Sequence, residues 1–187
     1  TLLKVQNLKV PLIVSFSPAE SKEKFLKLVS ETTILIEQLG EDLGERLQNA
    51  VCFASKRGFS PIIVIGTDSP TFPPDELVKA IEILEKNENE CVFGPTQDGG
   101  YYLVGLAENS PKFFKNVEWS SANTLADNIR NAETIFAKTP SFVRQWHDVD
   151  EPSDLKLLFS EFASNQDLAV LSPHTADWLV KNKHLFE

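Results

Sequence analysis

Several short blocks of this sequence hold residue types that could do chemistry, and Ile65-Gly66-Thr67-Asp68-Ser69-Pro70 is the first of them. A carboxylate just beyond a strand end can coordinate a hard divalent ion that in turn grips a diphosphate, with Gly66 and Thr67 lining the ligand. The same residues also make a hydrogen-bonded turn ahead of Pro70, and composition alone favours that turn. In Gly94-Pro95-Thr96-Gln97-Asp98-Gly99-Gly100-Tyr101-Tyr102, the glycines Gly99 and Gly100 allow backbone close to a ligand. Asp98 could orient or deprotonate an acceptor hydroxyl there. Asp-Gly between two strands is among the strongest short hairpin signals, and locally the plain turn is the favoured reading.

A third block is Trp146-His147-Asp148-Val149-Asp150-Glu151-Pro152-Ser153-Asp154-Leu155. Asp148 and Asp150 flank one residue at the end of a strand-like run, so their side chains share a face and suit a metal. Asp150 as a helix N-cap before Pro152 is the alternative. In Gln38-Leu39-Gly40-Glu41-Asp42-Leu43-Gly44-Glu45-Arg46-Leu47, backbone N–H groups at a helix start could receive an anion with help from Arg46. The acids beside it favour a capped helix start instead. Trp119-Ser120-Ser121 offers an indole to stack on a base or sugar, or to pack beside a helix cap. His147 and His174 lack metal-ligand spacing, and no Ser, Cys or His pattern suggests a covalent nucleophile.

The elements that must position these blocks alternate. Residues 9–16 and 32–36 read as strands, with a helix over 18–30 between them. An amphipathic helix over 41–57 stops at Gly58. Ile62–Ile65 is an unbroken Ile/Val run that suits a parallel strand covered on both faces. Residues 74–85 read as a helix, 91–93 and 101–106 as strands around a polar turn, and a helix follows Ser120-Ser121 through Leu125 and Ile129. Further helices are expected over 150–162, capped by Asp150 or Ser153, and over 174–185. Strands alternating with helices predict a parallel sheet with helices on both faces, and ligands bind beyond the carboxyl ends of such strands.

Composition bounds the rest. A chain of 187 residues with 42 % hydrophobic content suits one folded domain, here taken as 1–187. The formal charge of -9 repels polyanions and argues against nucleic-acid binding. No apolar run approaches the roughly 20 residues of a membrane span, and no secretory signal opens the chain, so the cytoplasm is expected. Cys52 and Cys91 lie in apolar contexts and are expected to be reduced thiols. The chain begins Thr1-Leu2-Leu3 and contains no methionine, which points to a natural start further upstream.

Taken in order, the blocks carry more than each does alone. Gly40 to Arg46, Gly66-Thr67-Asp68-Ser69-Pro70 with Pro73-Pro74, Asp98-Gly99-Gly100-Tyr101-Tyr102, Glu118-Trp119-Ser120 and Asp148-Val149-Asp150-Glu151-Pro152 follow one another. This succession resembles a bacterial glycosyltransferase-A-like family, the radical-SAM/selenodomain-associated transferase type, which is similar to molybdenum-cofactor and phospholactate guanylyltransferases. The resemblance covers roughly residues 1–160, with the Asp98-Gly99-Gly100-Tyr101-Tyr102 block its most specific part.

It implies a nucleotide-diphospho-sugar transferase (GT-A-like) three-layer α/β fold, a mostly parallel mixed sheet, and Mg²⁺ or Mn²⁺. Asp68 matches the family's metal-binding Asp, and Asp150 its second acidic position, with Asp148 the neighbour. Asp98, Gly99 and Gly100 match the acceptor- or sugar-facing turn. Relatives open with a strand and a Gly- and basic-rich loop, whereas residues 1–8 read as the tail of the helix that follows. The N-terminal strand is therefore expected to be missing, which would leave two strand edges without partners, or else the sheet is expected to be rearranged.

The function expected is metal-dependent transfer from a nucleotide-sugar donor to a small-molecule acceptor. Nucleotidyl transfer from a nucleoside triphosphate, with pyrophosphate release, and a non-catalytic binding domain on the same fold are the alternatives. Base, acceptor and oligomeric state stay open.

Overall fold

The computed structural model describes residues 1–87 and 90–185. It opens with a single turn of helix, α1 (Leu2–Gln6), and strand β1 (Ile13–Phe16). A 3-10 turn (Ala19–Ser21) and α2 (Lys22–Leu26) lead to β2 (Ile34–Glu37), which pairs in parallel with β1. The central part comprises α3 (Leu43–Ser55), β3 (Ile62–Ile65), α4 (Pro74–Lys86), β4 (Cys91–Pro95), β5 (Tyr101–Leu106), α5 (Thr124–Phe136) and β6 (Ser141–Phe142). Helices α6 (Pro152–Ser164), α7 (Gln166–Leu171) and α8 (Pro173–Lys181), with a last 3-10 turn (Lys183–Leu185), close the chain.

The strands form two sheets, β1-β2 and β3-β5-β4-β6. Among the described residues β1 pairs with β2 alone and β3 with β5 alone, so each shows an edge with no ladder partner. Strand β3 runs antiparallel to β5, from Ile62 opposite Leu106 to Ile65 opposite Leu103, and its residues are all half-buried. This corrects the expected parallel, fully covered strand: a run of Ile and Val is what any strand with an apolar face needs, and it does not encode direction. The first strand is also shorter than expected. Pro11 cannot donate to a ladder and Lys9 turns with φ 55°, so pairing starts only where Leu12 O accepts Ile34 N–H. The helix expected over 18–30 shrinks to α2: Leu26 and Leu28 stay exposed, while Phe25 packs against Phe16 at 5.4 Å.

Three layers enclose the core. Leu77, Ala80 and Leu84 of α4 cover one sheet face, against Val92 and Leu103. Val51 of α3, Ala132 of α5 and the Phe113–Phe114 corner cover the other, against Cys91, Phe93, Val104 and Leu106. The C-terminal helices make a smaller cluster around Leu158 and Leu179. Both cysteines are free; Cys91 is buried, and burial pushes its thiol well above the ordinary value. Among the described residues no helix is long and apolar enough to cross a membrane.

One buried charge fixes the strand-like segment after β6. Glu76, 2 % exposed on α4, accepts the Arg144 N–H at 2.9 Å and the Lys79 ammonium at 2.7 Å. Burial pushes this carboxyl up, but the hydrogen bonds and charges of Lys79 and Arg144 outweigh it and hold it below the usual carboxylate range. A depressed folded value contributes stability that is present above the unfolded pKa and lost as pH falls through the folded one. Glu76→Gln is therefore expected to cost about 1–3 kcal/mol near neutrality. Urea denaturation should show that gap closing in acid.

Candidate active site

The acidic residues are delivered by three connected loops. After β4, Thr96 N–H donates to Gly100 O at 3.0 Å, closing the hairpin turn to β5. Inside that turn, Asp98 Oδ1 accepts the Thr96 hydroxyl and the Gly100 N–H. The Thr96 hydroxyl does most to hold the Asp98 carboxyl below its ordinary value, against a smaller opposing effect of burial. Gly99 has φ +91°, and a Cβ there would lie 2.3 Å from Ala122 O. The Leu125 N–H also donates to Gly99 O at 2.9 Å, so the turn seats on the entrance to α5. Gly99→Ala is expected to cost about 1–3 kcal/mol in a thermal unfolding experiment, from strain at positive φ and from the backbone clash.

Residues after β6 run beside β4 and then cross to the loop after β3. Val143 N–H donates to Phe93 O at 2.9 Å, Trp146 N–H to Pro95 O at 3.0 Å, and Val149 N–H to Asp68 O at 3.0 Å. Asp148 and Asp150 are thereby set next to Asp98. Ligand oxygens of Asp98, Asp148 and Asp150 all lie within 4.8 Å of one another. Asp148 is half-buried, while Asp98 and Asp150 are exposed. Burial raises the Asp148 carboxyl above its ordinary value, and the charges of Asp98, Asp150 and Asp68 raise it further.

Asp150 is left for this cluster because it does not cap α6. Neither Asp150 nor Ser153 is the N-cap; Glu151 is, and the Asp154 carboxylate accepts the N–H groups of Asp150 and Glu151 at 3.0 and 2.8 Å. A Cap at Glu151 with a reciprocal acid three residues on satisfies the helix start and corrects the expected assignment.

Asp68 stands beside the trio and outside it. Its carboxylate folds back over the end of β3, where a Cβ on Gly66 would meet Asp68 Oδ1 at 2.6 Å. Gly66 N–H donates to Tyr102 O and Thr67 O accepts the Thr1 hydroxyl, so both serve the loop's own geometry. Trp119 packs on the start of α3, its indole Nε1 2.7 Å from where a Cβ on Gly44 would stand. Ser120 is exposed with φ 57°. Arg46 Nε donates to Gly40 O at 3.1 Å, while the Asp42 side chain caps α3 by accepting Glu45 N–H. The loop over 118–124 thus touches both α3 and the Asp98 turn, which brings the separated blocks into one neighbourhood.

Two shallow hollows of about 320 and 360 Å³ lie elsewhere, lined by Glu108–Pro111, Lys112, Lys115 and the end of α5, and no residue of the acidic trio borders them. Thr96 was not singled out from the sequence, although its place two residues before Asp98 is the spacing of a side-chain-bonded turn.

The layering and the sheet are those of the nucleotide-diphospho-sugar transferase (GT-A-like) α/β fold. The structure superposes on the crystal structure of a "putative nucleotide-diphospho-sugar transferase" from Desulfovibrio desulfuricans G20 with a TM-score of 0.82 and 26% sequence identity, over 99% of this chain and 83% of that one. The chain belongs to the family described as "Uncharacterized protein conserved in bacteria (DUF2064)", whose model matches residues 1–121. No curated protein sequence matches it.

Proposed function

We propose that this protein is a transferase that uses a nucleotide-activated sugar donor, with a divalent cation, Mg²⁺ or Mn²⁺, at the Asp98–Asp148–Asp150 cluster. The observation that carries the reading is the convergence of three carboxylates from two loops, far apart in sequence, on a nucleotide-diphospho-sugar transferase fold. Three oxygen donors with open access fit a hard cation that keeps part of its shell for phosphate oxygens. Such a cation would supply charge neutralisation at the donor's diphosphate.

The residues of the chain divide the remaining work. Asp98, held ionised by Thr96 and Gly100, is a weak base and suits a fixed ligand better than a proton acceptor. Asp148, raised by burial and by its neighbours, gains most from a cation. Asp68, on the loop bonded to Val149, would join by a side-chain rotation off Gly66, or orient a water or the acceptor. Trp119, with Ser120, lies on the loop whose Ala122 packs on the Asp98 turn, and its partly exposed ring would serve the base or sugar.

The reaction test is release of a nucleoside diphosphate from UDP- or GDP-sugars in the presence of Mn²⁺ and candidate acceptors. Pyrophosphate released from a nucleoside triphosphate instead would assign nucleotidyl transfer, and no turnover of either kind would leave a binding domain.

A further inference from the structure

Glu161, on α6, is bonded to both loops that flank the carboxylate cluster. Its Oε2 accepts the Thr71 hydroxyl at 3.0 Å, three residues past Asp68. Its carboxylate also meets His147 Nε2 at 3.2 Å, directly before Asp148. A carboxylate only accepts, so His147 donates here through Nε2–H. Trp146 Nε1–H closes the set by donating to Thr71 Oγ1 at 3.3 Å, and its ring stacks on His147 at 5.2 Å. One carboxylate therefore holds one residue from each loop.

The far side of the Asp68 loop is anchored as well. The Lys4 ammonium, 2 % exposed, donates to Pro70 O at 2.6 Å and Phe72 O at 3.0 Å, and the Ser172 hydroxyl donates to Pro70 O at 3.0 Å. With this loop fixed from behind, the Glu161 bridge acts beside the Val149 N–H to Asp68 O hydrogen bond in holding it against the Asp148–Asp150 segment.

We propose that Glu161 is a positioning residue for the cluster: by holding Thr71 and His147 together it braces, alongside the Val149–Asp68 backbone hydrogen bond, the Asp68 loop against the segment that carries Asp148 and Asp150. The inference rests on the reading of that cluster as a divalent-cation site. Groups that orient ligands from behind typically change metal affinity 10–100-fold when removed. Glu161 is partly exposed and on the outer helices, so its replacement leaves the sheet core intact.

The experiment is Mn²⁺ titration of the full chain, followed by loss of the free-ion paramagnetic resonance signal, for wild type, Glu161→Ala, Glu161→Gln and Thr71→Val. Glu161→Ala should weaken Mn²⁺ binding about 10–100-fold. Glu161→Gln keeps an oxygen that can accept from both Thr71 and His147, and should recover most of the loss. Thr71→Val should weaken binding too, and the double variant should lose less than the sum of the two single losses, because one bridge is being cut. Unchanged Mn²⁺ affinity in Glu161→Ala beside a lowered melting temperature would overturn the proposal, as would additive losses or no recovery in Glu161→Gln. Wild-type protein that takes up no Mn²⁺ would remove the cation reading itself, and this inference with it.

Discussion

Asp148→Asn is expected to lower Mn²⁺ affinity more than about 100-fold, beyond the range seen when a supporting group rather than a ligand is lost. Asp148 is the half-buried member of the trio and shares its segment with Asp150, opposite the turn that brings Asp98. Its carboxyl is pushed up by burial and by three neighbouring acids, so the empty cluster is electrostatically unfavourable. Asparagine removes that repulsion. The variant should therefore melt no lower than wild type without metal, while losing the stabilisation that saturating Mn²⁺ gives the wild type. A ligand at 100 times its Kd adds roughly 2.7 kcal/mol, which a thermal shift resolves. Asp150→Asn should behave alike, whereas Asp68→Asn should have the smaller effect because its carboxylate is turned toward Gly66.

The second large effect concerns the frame. Phe93→Ala is expected to destabilise the protein by about 3–5 kcal/mol, the range for emptying a buried aromatic site. Phe93 is fully buried in β4, 5.3 Å from the Tyr101 ring, 6.2 Å from Phe113 and 6.3 Å from Phe142. Its carbonyl also accepts Val143 N–H, so a collapse there would disturb the segment leading to Asp148. For a chain of this size the loss corresponds to roughly 6–20 °C in melting temperature. A drop of only a degree or two would mean that β4 is not packed as described.

Which parts of this were legible in the sequence follows from how local each signal is. Asp148 and Asp150 were readable as neighbours on one face, since strand alternation acts over two residues. The Asp98-Gly99 hairpin was readable from its turn chemistry. The joining of that hairpin to Asp148 was not, because it depends on hydrogen bonds such as Gln145 to Thr96 O, 49 residues apart. The N-cap of α6 falls at Glu151 rather than Asp150 or Ser153 because all three side chains can cap, and only the backbone geometry chooses among them.

Lys4, Glu76 and Glu161 escaped for the same reason. Their partners lie 66, 68 and 90 residues away, and nothing local distinguishes them from solvated charges. The direction of β3 was not legible either. Ile62 to Ile65 look alike in parallel and antiparallel pairing, and only the pairing with β5, distant in sequence, decides. Layer order, by contrast, followed directly from the spacing of apolar residues in α3, α4 and α5.

The central claim is tested most directly by calorimetric titration of UDP- and GDP-sugars into the full chain with and without Mn²⁺. The account predicts binding of at least one of them that requires Mn²⁺ and disappears in Asp148→Asn. Donor binding that is indifferent to Mn²⁺ and survives in Asp148→Asn would contradict it, and so would the absence of any donor binding.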